Sequence, residues 1–315
     1  MKKTQQIMAL LLAVMLCLGL FGCAKEHQAS EAAGSDSGKK VVTVTTSFLN
    51  DMVKVLAGDL VELQMIIPAG EDPHLYKPLP EDSKKIQGAD LVLYHGLHFE
   101  GKMVEALEQF GVSVSENFPA ERIGRMDQDG IEIIDPHFWF DLELYAMACD
   151  RAAEALIELL PEHKASIEQN LEEYKVELKA CDEWIRSEME KIPENSRYLV
   201  TPHDAFNYFA KSYDIVVHAP QGVSTDSEVS GADVEATVNL IVEHQVKAIF
   251  TESTTNPAKM QKLQEDCARK GFEVKVVHGA DQELFSDSLA AEGQAGDSFI
   301  EMLKHNVKLI VDNLK

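Results

Sequence analysis

The sequence predicts an α/β protein of two lobes, each a parallel sheet flanked by helices, with one long helix bridging them. Three observations lead to this fold class. Short β-branched segments alternate with amphipathic segments in the first half of the chain, the same alternation restarts in the second half, and a charged segment with one apolar stripe separates the halves. Such alternation is typical of parallel sheets with right-handed crossovers.

Each half is predicted to repeat a strand–helix order, as in a Rossmann-like lobe. In the first half we expect strands at residues 41–47, 61–67, 89–95 and 112–114, and helices at 48–57, 81–88, 102–110 and 142–160. In the second half we expect strands at 197–201, 215–218, 248–252 and 274–278, and helices at 205–212, 232–244, 257–270 and 298–314. The pattern lapses over residues 116–135, so a loop is predicted there.

The longest predicted helix covers residues 162–191. Its apolar residues recur at spacings of four and three and form one stripe, made of Ile167, Leu171, Tyr174, Leu178, Cys181 and Ile185. A helix of this length spans about 45 Å at 1.5 Å per residue. We interpret it as a rigid strut between the lobes, and a coiled-coil surface for a partner is the alternative.

The N-terminus has the pattern of an export signal. A basic start is followed by a nearly continuous apolar run over residues 7–21 and then by Gly22 and Cys23. A membrane span takes about twenty apolar residues, so a signal peptide at 1–22 is the better interpretation. The residues before Cys23 resemble a bacterial lipobox, which predicts lipidation of Cys23. An uncleaved anchor helix would leave the protein on the same face of the membrane.

Five segments follow from these patterns. Residues 1–22 are the predicted signal peptide, and the polar residues 23–40 are a flexible linker. The N-terminal lobe is predicted at 41–160, the interlobe helix at 161–192 and the C-terminal lobe at 193–315.

Charge and cysteine content exclude several classes of protein. The 53 acidic and 29 basic residues give a net charge of −24, which argues against a nucleic-acid partner because phosphate binding needs basic patches. The cysteines beyond the signal, Cys149, Cys181 and Cys267, are odd in number and widely spaced. They indicate buried free thiols rather than a disulfide framework or a sulfur-rich zinc site.

Three Pro-His pairs are the most informative local pattern. His74, His137 and His203 each follow a proline close to a predicted strand–helix junction. A single pair of this kind is usually a surface turn. Three pairs at the edge where α/β sheets bind ligands predict a metal site instead.

A fourth ligand is expected from the second lobe, and Asp287 is the best candidate. It lies in the loop after the last predicted strand, although a helix cap or a surface acid would give the same local pattern. Three imidazoles and one carboxylate suit Mn²⁺ or Zn²⁺, and also Fe²⁺. Ligands from both lobes would bury the ion at the interface.

From residue 41 onward the chain resembles the metal-binding solute receptors of bacterial manganese and zinc ABC importers. The matching stretches, in order, are Asp72-Pro73-His74-Leu75-Tyr76, Gly96-Leu97-His98-Phe99-Glu100-Gly101-Lys102-Met103, Asp135-Pro136-His137-Phe138-Trp139, Thr201-Pro202-His203-Asp204-Ala205-Phe206 and Asp287-Ser288-Leu289. The chain departs from the family at Leu142, where many relatives have proline, and in lacking a long loop rich in histidine and acids, which favours manganese slightly.

The resemblance implies a function and a set of partners. It implies a lipid-anchored, monomeric receptor on the outer face of the bacterial membrane that delivers a metal to an ABC permease driven by a separate ATPase. It also implies that Glu252 lies near the site. His98 either orients a ligand by hydrogen bonding or has a purely structural role.

Two other functions stay open at this stage. A zinc-dependent hydrolase would need an open metal position and a general base; Glu252 could serve as that base, but the chain has no His-Glu-x-x-His motif. A surface adhesin or structural lipoprotein is the third class. Four protein ligands would favour metal carriage over both.

Overall fold

The N-terminal half is built on a four-stranded parallel sheet in the order β2-β1-β3-β4. The computed structural model describes residues 38–128 and 131–315. The strands are β1 (Lys40–Val44), β2 (Val61–Met65), β3 (Leu91–Tyr94) and β4 (Val112–Ser113). Val42 pairs with Leu63 on one side of β1 and with Leu91 on the other. The parallel order confirms the sheet predicted for this half.

Three helices connect these strands as predicted, and their observed ends differ from the predicted ends by no more than two residues. They are α1 (Ser47–Ala57), α2 (Pro80–Gly88) and α3 (Val104–Phe110). Thr46 caps α1 by accepting a hydrogen bond from the backbone N–H of Leu49. The crossovers leave the loops after β2 and β3 at the carboxyl edge of the sheet, where His74 and His98 lie.

The region predicted as a loop contains a β-hairpin, and here the sequence prediction was wrong. Strand β5 (Arg125–Gln128) pairs antiparallel with β6 (Ile131–Ile134). Ile131 is 67% exposed, so the strands lack the alternation of buried and exposed residues by which a strand is recognised. The hairpin ends at a hydrogen bond from the N–H of Asp135 to the carbonyl of Gly124, immediately before His137.

The long helix is present and its apolar stripe is buried. Helix α4 (Leu142–Leu159) precedes it, and α5 (Lys164–Met189) follows a short 3-10 turn at Pro161–His163. All six residues of the predicted stripe are buried, with Met189 in addition. At 1.5 Å per residue, α5 spans about 39 Å.

The second half repeats the strand–helix alternation, but its strands pair in twos. Strand β7 (Tyr198–Val200) pairs with β8 (Val216–His218), and β9 (Ala248–Phe250) pairs with β10 (Lys275–Val277), both in parallel. Isolated bridges join His203 to Gln221 and Glu252 to Leu284. The helices are α6 (Asn207–Tyr213), α7 (Gly231–Glu243), α8 (Ala258–Arg269) and α9 (Phe299–Leu314).

One hydrophobic core joins the two halves to the long helix. The ring of Phe48 stacks on Trp139 at 4.9 Å and meets the edge of Phe299 at 6.4 Å, measured between ring centroids. Residues 39–315 form one compact unit, and the predicted lobe boundaries at 160 and 192 remain predictions.

Two further expectations concern the cysteines and the membrane. Cys149, Cys181 and Cys267 are free and buried, as predicted. Among the helices of residues 38–128 and 131–315, none combines the length and apolar character needed to cross a bilayer. The predicted signal peptide and Cys23 lie outside the described residues.

Candidate metal centre

The four predicted ligands come together from four separate loops. His74, His137, His203 and Asp287 each offer one nitrogen or oxygen atom, and these atoms all lie within 4.8 Å of one another. The loops follow β2, β6, β7 and β10, which brings two ligands from each half of the chain to one point. The residues are 63 to 213 positions apart in the chain. They meet because the loops that follow strands in both halves face the same interface.

The distances between these atoms match the spacing of ligands around one ion. Nε2 of His137 lies 3.4 Å from Nε2 of His74 and 3.2 Å from Oδ1 of Asp287. Nε2 of His203 lies 3.2 Å from Oδ2 of Asp287. Ligands held about 2.1 Å from a tetrahedral ion lie about 3.4 Å from each other. Moreover, Nε2 of His203 and Oδ1 of Asp287 are buried and have no hydrogen-bond partner among the described residues, as expected of atoms that bind a cation.

In each of the three Pro-His segments, the side chain two positions before the histidine makes a hydrogen bond with the backbone of that histidine. Sequence reasoning missed this feature. Oδ1 of Asp72 accepts the backbone N–H of His74 at 2.9 Å, and Oδ1 of Asp135 accepts that of His137 at 3.0 Å. In the third segment the hydroxyl of Thr201 donates to the carbonyl of His203 at 2.9 Å. Asp and Thr commonly close such short turns. The recurrence of a polar residue two positions before each histidine was the available signal.

His137 is fixed by a carboxylate that also touches the second half of the chain. Its Nδ1 donates to Oδ1 of Asp135 at 2.8 Å, which directs Nε2 toward the centre. Oδ2 of Asp135 accepts from the amide of Asn207 at 3.1 Å. The hydroxyl of Tyr208 donates to the Asp135 carbonyl and accepts from the N–H of Gly124. Asp135 therefore holds the histidine and ties its loop to α6.

His203 is held in the same way by Glu252. Its Nδ1 donates to Oε2 of Glu252 at 2.5 Å, and both side chains are fully buried. The structure thus places Glu252 beside the centre, as the resemblance implies. Because the carboxylate already accepts from the imidazole, it orients His203 rather than standing free as a base.

The segment around Asp287 is fastened to the first half of the chain. The indole N–H of Trp139 donates to the carbonyl of Ser286 at 2.9 Å. The N–H of Leu289 donates to the hydroxyl of Ser47 at 2.9 Å. The hydroxyl of Thr254, from the second half, donates to Asp287 itself at 3.3 Å. Asp287 is therefore fixed from both sides.

His74 is the least enclosed of the four residues. It is 6% exposed whereas the other three are fully buried, and its ring packs on the edge of Phe99 with centroids 5.1 Å apart. Among the described residues, no carboxylate accepts a hydrogen bond from its ring. A Cβ at Gly101 would lie 2.7 Å from the carbonyl oxygen of His74, and Gly101 has φ +47°. Glycine is therefore required where the loop of residues 96–101 supports His74.

Charge in the centre is concentrated on its three fully buried residues, His137, His203 and Asp287, which together form the anchored wall. Burial alone would lower the pKa of His203, but the carboxylates of Asp287 and Glu252 outweigh it and raise that pKa well above its usual value. Burial also opposes protonation of His137, yet the carboxylates of Asp135 and Asp287 raise its pKa to about 9. The same histidines outweigh burial at Asp287 and hold its pKa well below its usual range.

His74 behaves differently from the other two histidines. Burial, the largest effect, lowers its pKa to about 3, against the opposing attraction of Asp287. Its imidazole is therefore neutral, and its Nε2 is free to bind a cation, throughout the physiological pH range.

His98 lies at the surface near the centre rather than inside it. It lines a cavity of about 190 Å³ together with His74. No hydrogen bond joins it to any of the four predicted ligands in the described part of the chain. The backbone of His98 is left-handed, with φ +63°. The buried neighbours of His74 and His137 are instead Phe99 and Trp139.

Comparisons with known proteins place this chain in a family. A family model described as the periplasmic component A of zinc-uptake complexes matches residues 42–313. The manganese-binding lipoprotein MntA of Bacillus subtilis is 35% identical over 292 residues, which cover 91% of this chain and 94% of that protein. The zinc-binding protein TroA of Treponema pallidum is 34% identical over 304 residues, covering 95% and 96% respectively.

The structural comparison agrees with the sequence comparison. A solved structure of a TroA protein, determined to study its metal-binding specificity, is 61% identical and has a TM-score of 0.87. The match covers 88% of this chain and all of that one. This protein therefore belongs to the family of periplasmic component A of zinc-uptake complexes.

Proposed function

We propose that this protein is an extracytoplasmic receptor that captures one divalent transition metal between the two halves of the chain. The observation that carries the proposal is the set of four buried side chains, His74, His137, His203 and Asp287, whose ligand atoms lie within 4.8 Å of one another. Mn²⁺ and Zn²⁺ are the proposed cargo, with Fe²⁺ as a third candidate, since imidazole and carboxylate ligands suit all three.

The arrangement of ligands supports carriage rather than catalysis. A catalytic zinc site keeps one coordination position open for water or substrate. Here four protein atoms surround the centre, and Glu252 is engaged by His203 at 2.5 Å. An adhesive or structural role alone would not need a buried site of this kind, so we favour metal capture over both alternatives.

The proposed partners are the permease and the ATPase of an ABC importer. The receptor would be monomeric, anchored to the outer face of the membrane by lipid on Cys23, and would hand its metal to the permease. Membership of a family of uptake-complex components supports the proposal of a transport partner.

Elemental analysis tests the proposal most directly. The soluble part of the chain, from about Lys40, should carry one equivalent of Mn or Zn after loading and desalting. His203→Ala and Asp287→Ala should each lose the metal, because each removes a ligand from the anchored wall. Asp59→Ala, which changes an exposed acid, should keep it. Absence of metal from the unaltered protein, even after Mn²⁺ or Zn²⁺ is added, would overturn the proposal.

A further inference from the structure

A single carboxylate connects His74 to the opposite half of the chain. Oδ1 of Asp72 accepts the backbone N–H of His74 at 2.9 Å. Its other oxygen, Oδ2, accepts the hydroxyl of Thr225 at 2.6 Å, across 153 positions of sequence. Each oxygen of Asp72 thus accepts a different hydrogen bond. The bond from His74 lies within the loop of Asp72, and the bond from Thr225 comes from the other half of the chain.

Thr225 is in turn held by the framework that carries His203. The side-chain amide of Gln221 donates to the carbonyls of Thr225 and Ser227 at 2.7 and 2.8 Å. Its oxygen accepts from the ammonium of Lys259 at 2.7 Å, and its backbone pairs with His203 in an isolated bridge. A continuous series of contacts therefore runs from His74 through Asp72, Thr225 and Gln221 to His203.

This series of contacts lies beside the open side of the centre. The cavity of about 190 Å³ that reaches His74 has one wall from the first half, including Pro136, and one from the second, including Val223, Ser224 and Asp226. Because His74 is the only predicted ligand with any exposed surface, an ion that enters or leaves on this side must pass it.

We infer that Asp72 is a positioning residue, which uses its hydrogen bond from Thr225 to keep His74 closed over a captured metal. The inference rests on the proposed function. Without the Thr225 hydroxyl, Asp72 would still form its turn with His74, but the loop would no longer be tied to the wall that carries His203. Metal should then escape faster, whereas the other three ligands keep their geometry.

The test compares Thr225→Val with Thr225→Ser in the full chain, kept in detergent micelles. Valine removes the hydroxyl at similar volume and serine restores it. Thr225→Ala replaces valine as the test variant if the added methyl disturbs folding. Thr43→Val is the matched control, because the Thr43 hydroxyl donates to the carbonyl of Lys85 within the first half and does not join the halves.

Three quantities are measured for each variant: bound metal by elemental analysis, the rate of Mn²⁺ or Zn²⁺ loss to excess chelator, and the midpoint of thermal unfolding. Thr225→Val should bind one equivalent yet release it about tenfold to a hundredfold faster, as expected for loss of a hydrogen bond to a charged group. Thr225→Ser should release metal at nearly the unaltered rate, and so should Thr43→Val.

Each contrary result has a distinct meaning. If the unaltered protein binds no metal, the proposed function fails and the inference fails with it. If it binds metal but Thr225→Val releases it at the unaltered rate, only the inference fails. If Thr43→Val accelerates release as much as Thr225→Val, the effect is a general loss of stability, and the positioning role of Asp72 is overturned.

Discussion

The two sides of the metal centre are built differently. On one side lies the anchored wall, formed by His137, His203 and Asp287, whose side chains are fully buried. On the other side lies the His74 loop, residues 68–80. Six of the ten residues from Glu71 to Pro80 are exposed. Each histidine of the wall donates to a buried carboxylate. Among the described residues, no carboxylate accepts from the ring of His74, which packs against Phe99.

The difference teaches how one site can be both selective and reversible. Ligands that are fixed before an ion arrives cost little to organise when it binds, and their geometry excludes ions of the wrong size. A ligand on a lightly held loop can be withdrawn without disturbing the others. The anchored wall therefore suits recognition, and the His74 loop suits entry and release.

The largest expected effect separates the two sides by their contribution to folding. In protein freed of metal with chelator, His203→Ala should lower the free energy of unfolding by about 3–5 kcal/mol. It leaves the buried carboxylate of Glu252 without the imidazole that donates to it and removes one of the two imidazoles beside Asp287. His74→Ala should cost only about 1 kcal/mol, since it removes a neutral ring and no ion pair. Urea titration of both variants measures the difference.

Equal losses of stability would contradict this comparison. A double variant, His203→Ala with Glu252→Gln, sharpens the comparison, because it removes the Glu252 charge that His203→Ala leaves unpaired. The double variant should recover part of the stability lost in His203→Ala.

The ligand set could be predicted from sequence because its signals are local. A proline precedes each of His74, His137 and His203, and a predicted strand precedes the loops of His74 and His203. The parallel sheet then brings the strand ends together. The sequence signals for Asp287 and Glu252 were weaker, because an acid in a loop is common. Asp287 was chosen for its position in the second lobe, and Glu252 was singled out by the resemblance alone. The structure brings all five residues together, although their role as ligands and neighbours of ligands remains a prediction.

The rest of the site depends on contacts that sequence spacing does not encode. Thr225 meets Asp72, and Trp139 meets Ser286, across 153 and 147 positions. Such pairs follow from how the halves dock, and docking is set by the shared core rather than by any local pattern. The hairpin before His137 was missed for a related reason, since its apolar residues are not buried in alternation.

A smaller effect tests the carboxylates of the wall. Asp135→Asn and Glu252→Gln should each lower metal affinity by about 10–100-fold, because an amide orients the imidazole less firmly and makes it a poorer donor to the ion. Isothermal titration or competition with a chelator measures the change. Asp141→Asn is the matched control: Asp141 caps α4 through the N–H groups of Glu143 and Leu144, so its loss should affect stability and leave affinity unchanged.

The last expected effect is the pH dependence of binding, which should come from the wall alone. Since the pKa of His137 is raised to about 9 and that of His203 lies well above its usual value, both imidazoles hold a proton at neutral pH in the absence of metal. Only neutral imidazole coordinates, so binding releases protons, and affinity should rise with pH by up to about tenfold per unit for each proton released. The rise should weaken above about pH 9, where His137 is already deprotonated.

His74 provides the control for this pH dependence. Its pKa of about 3 means that it carries no proton between pH 5 and pH 8. His74→Ala should therefore weaken binding by a constant factor and leave the slope of affinity against pH unchanged, whereas Asp135→Asn should reduce the slope by lowering the pKa of His137. Affinities measured with a chelator at pH 6, 7 and 8 distinguish the cases. A flat profile in the unaltered protein would show that neither wall histidine holds a competing proton. A profile that flattens in His74→Ala would show that the loop and not the wall holds it.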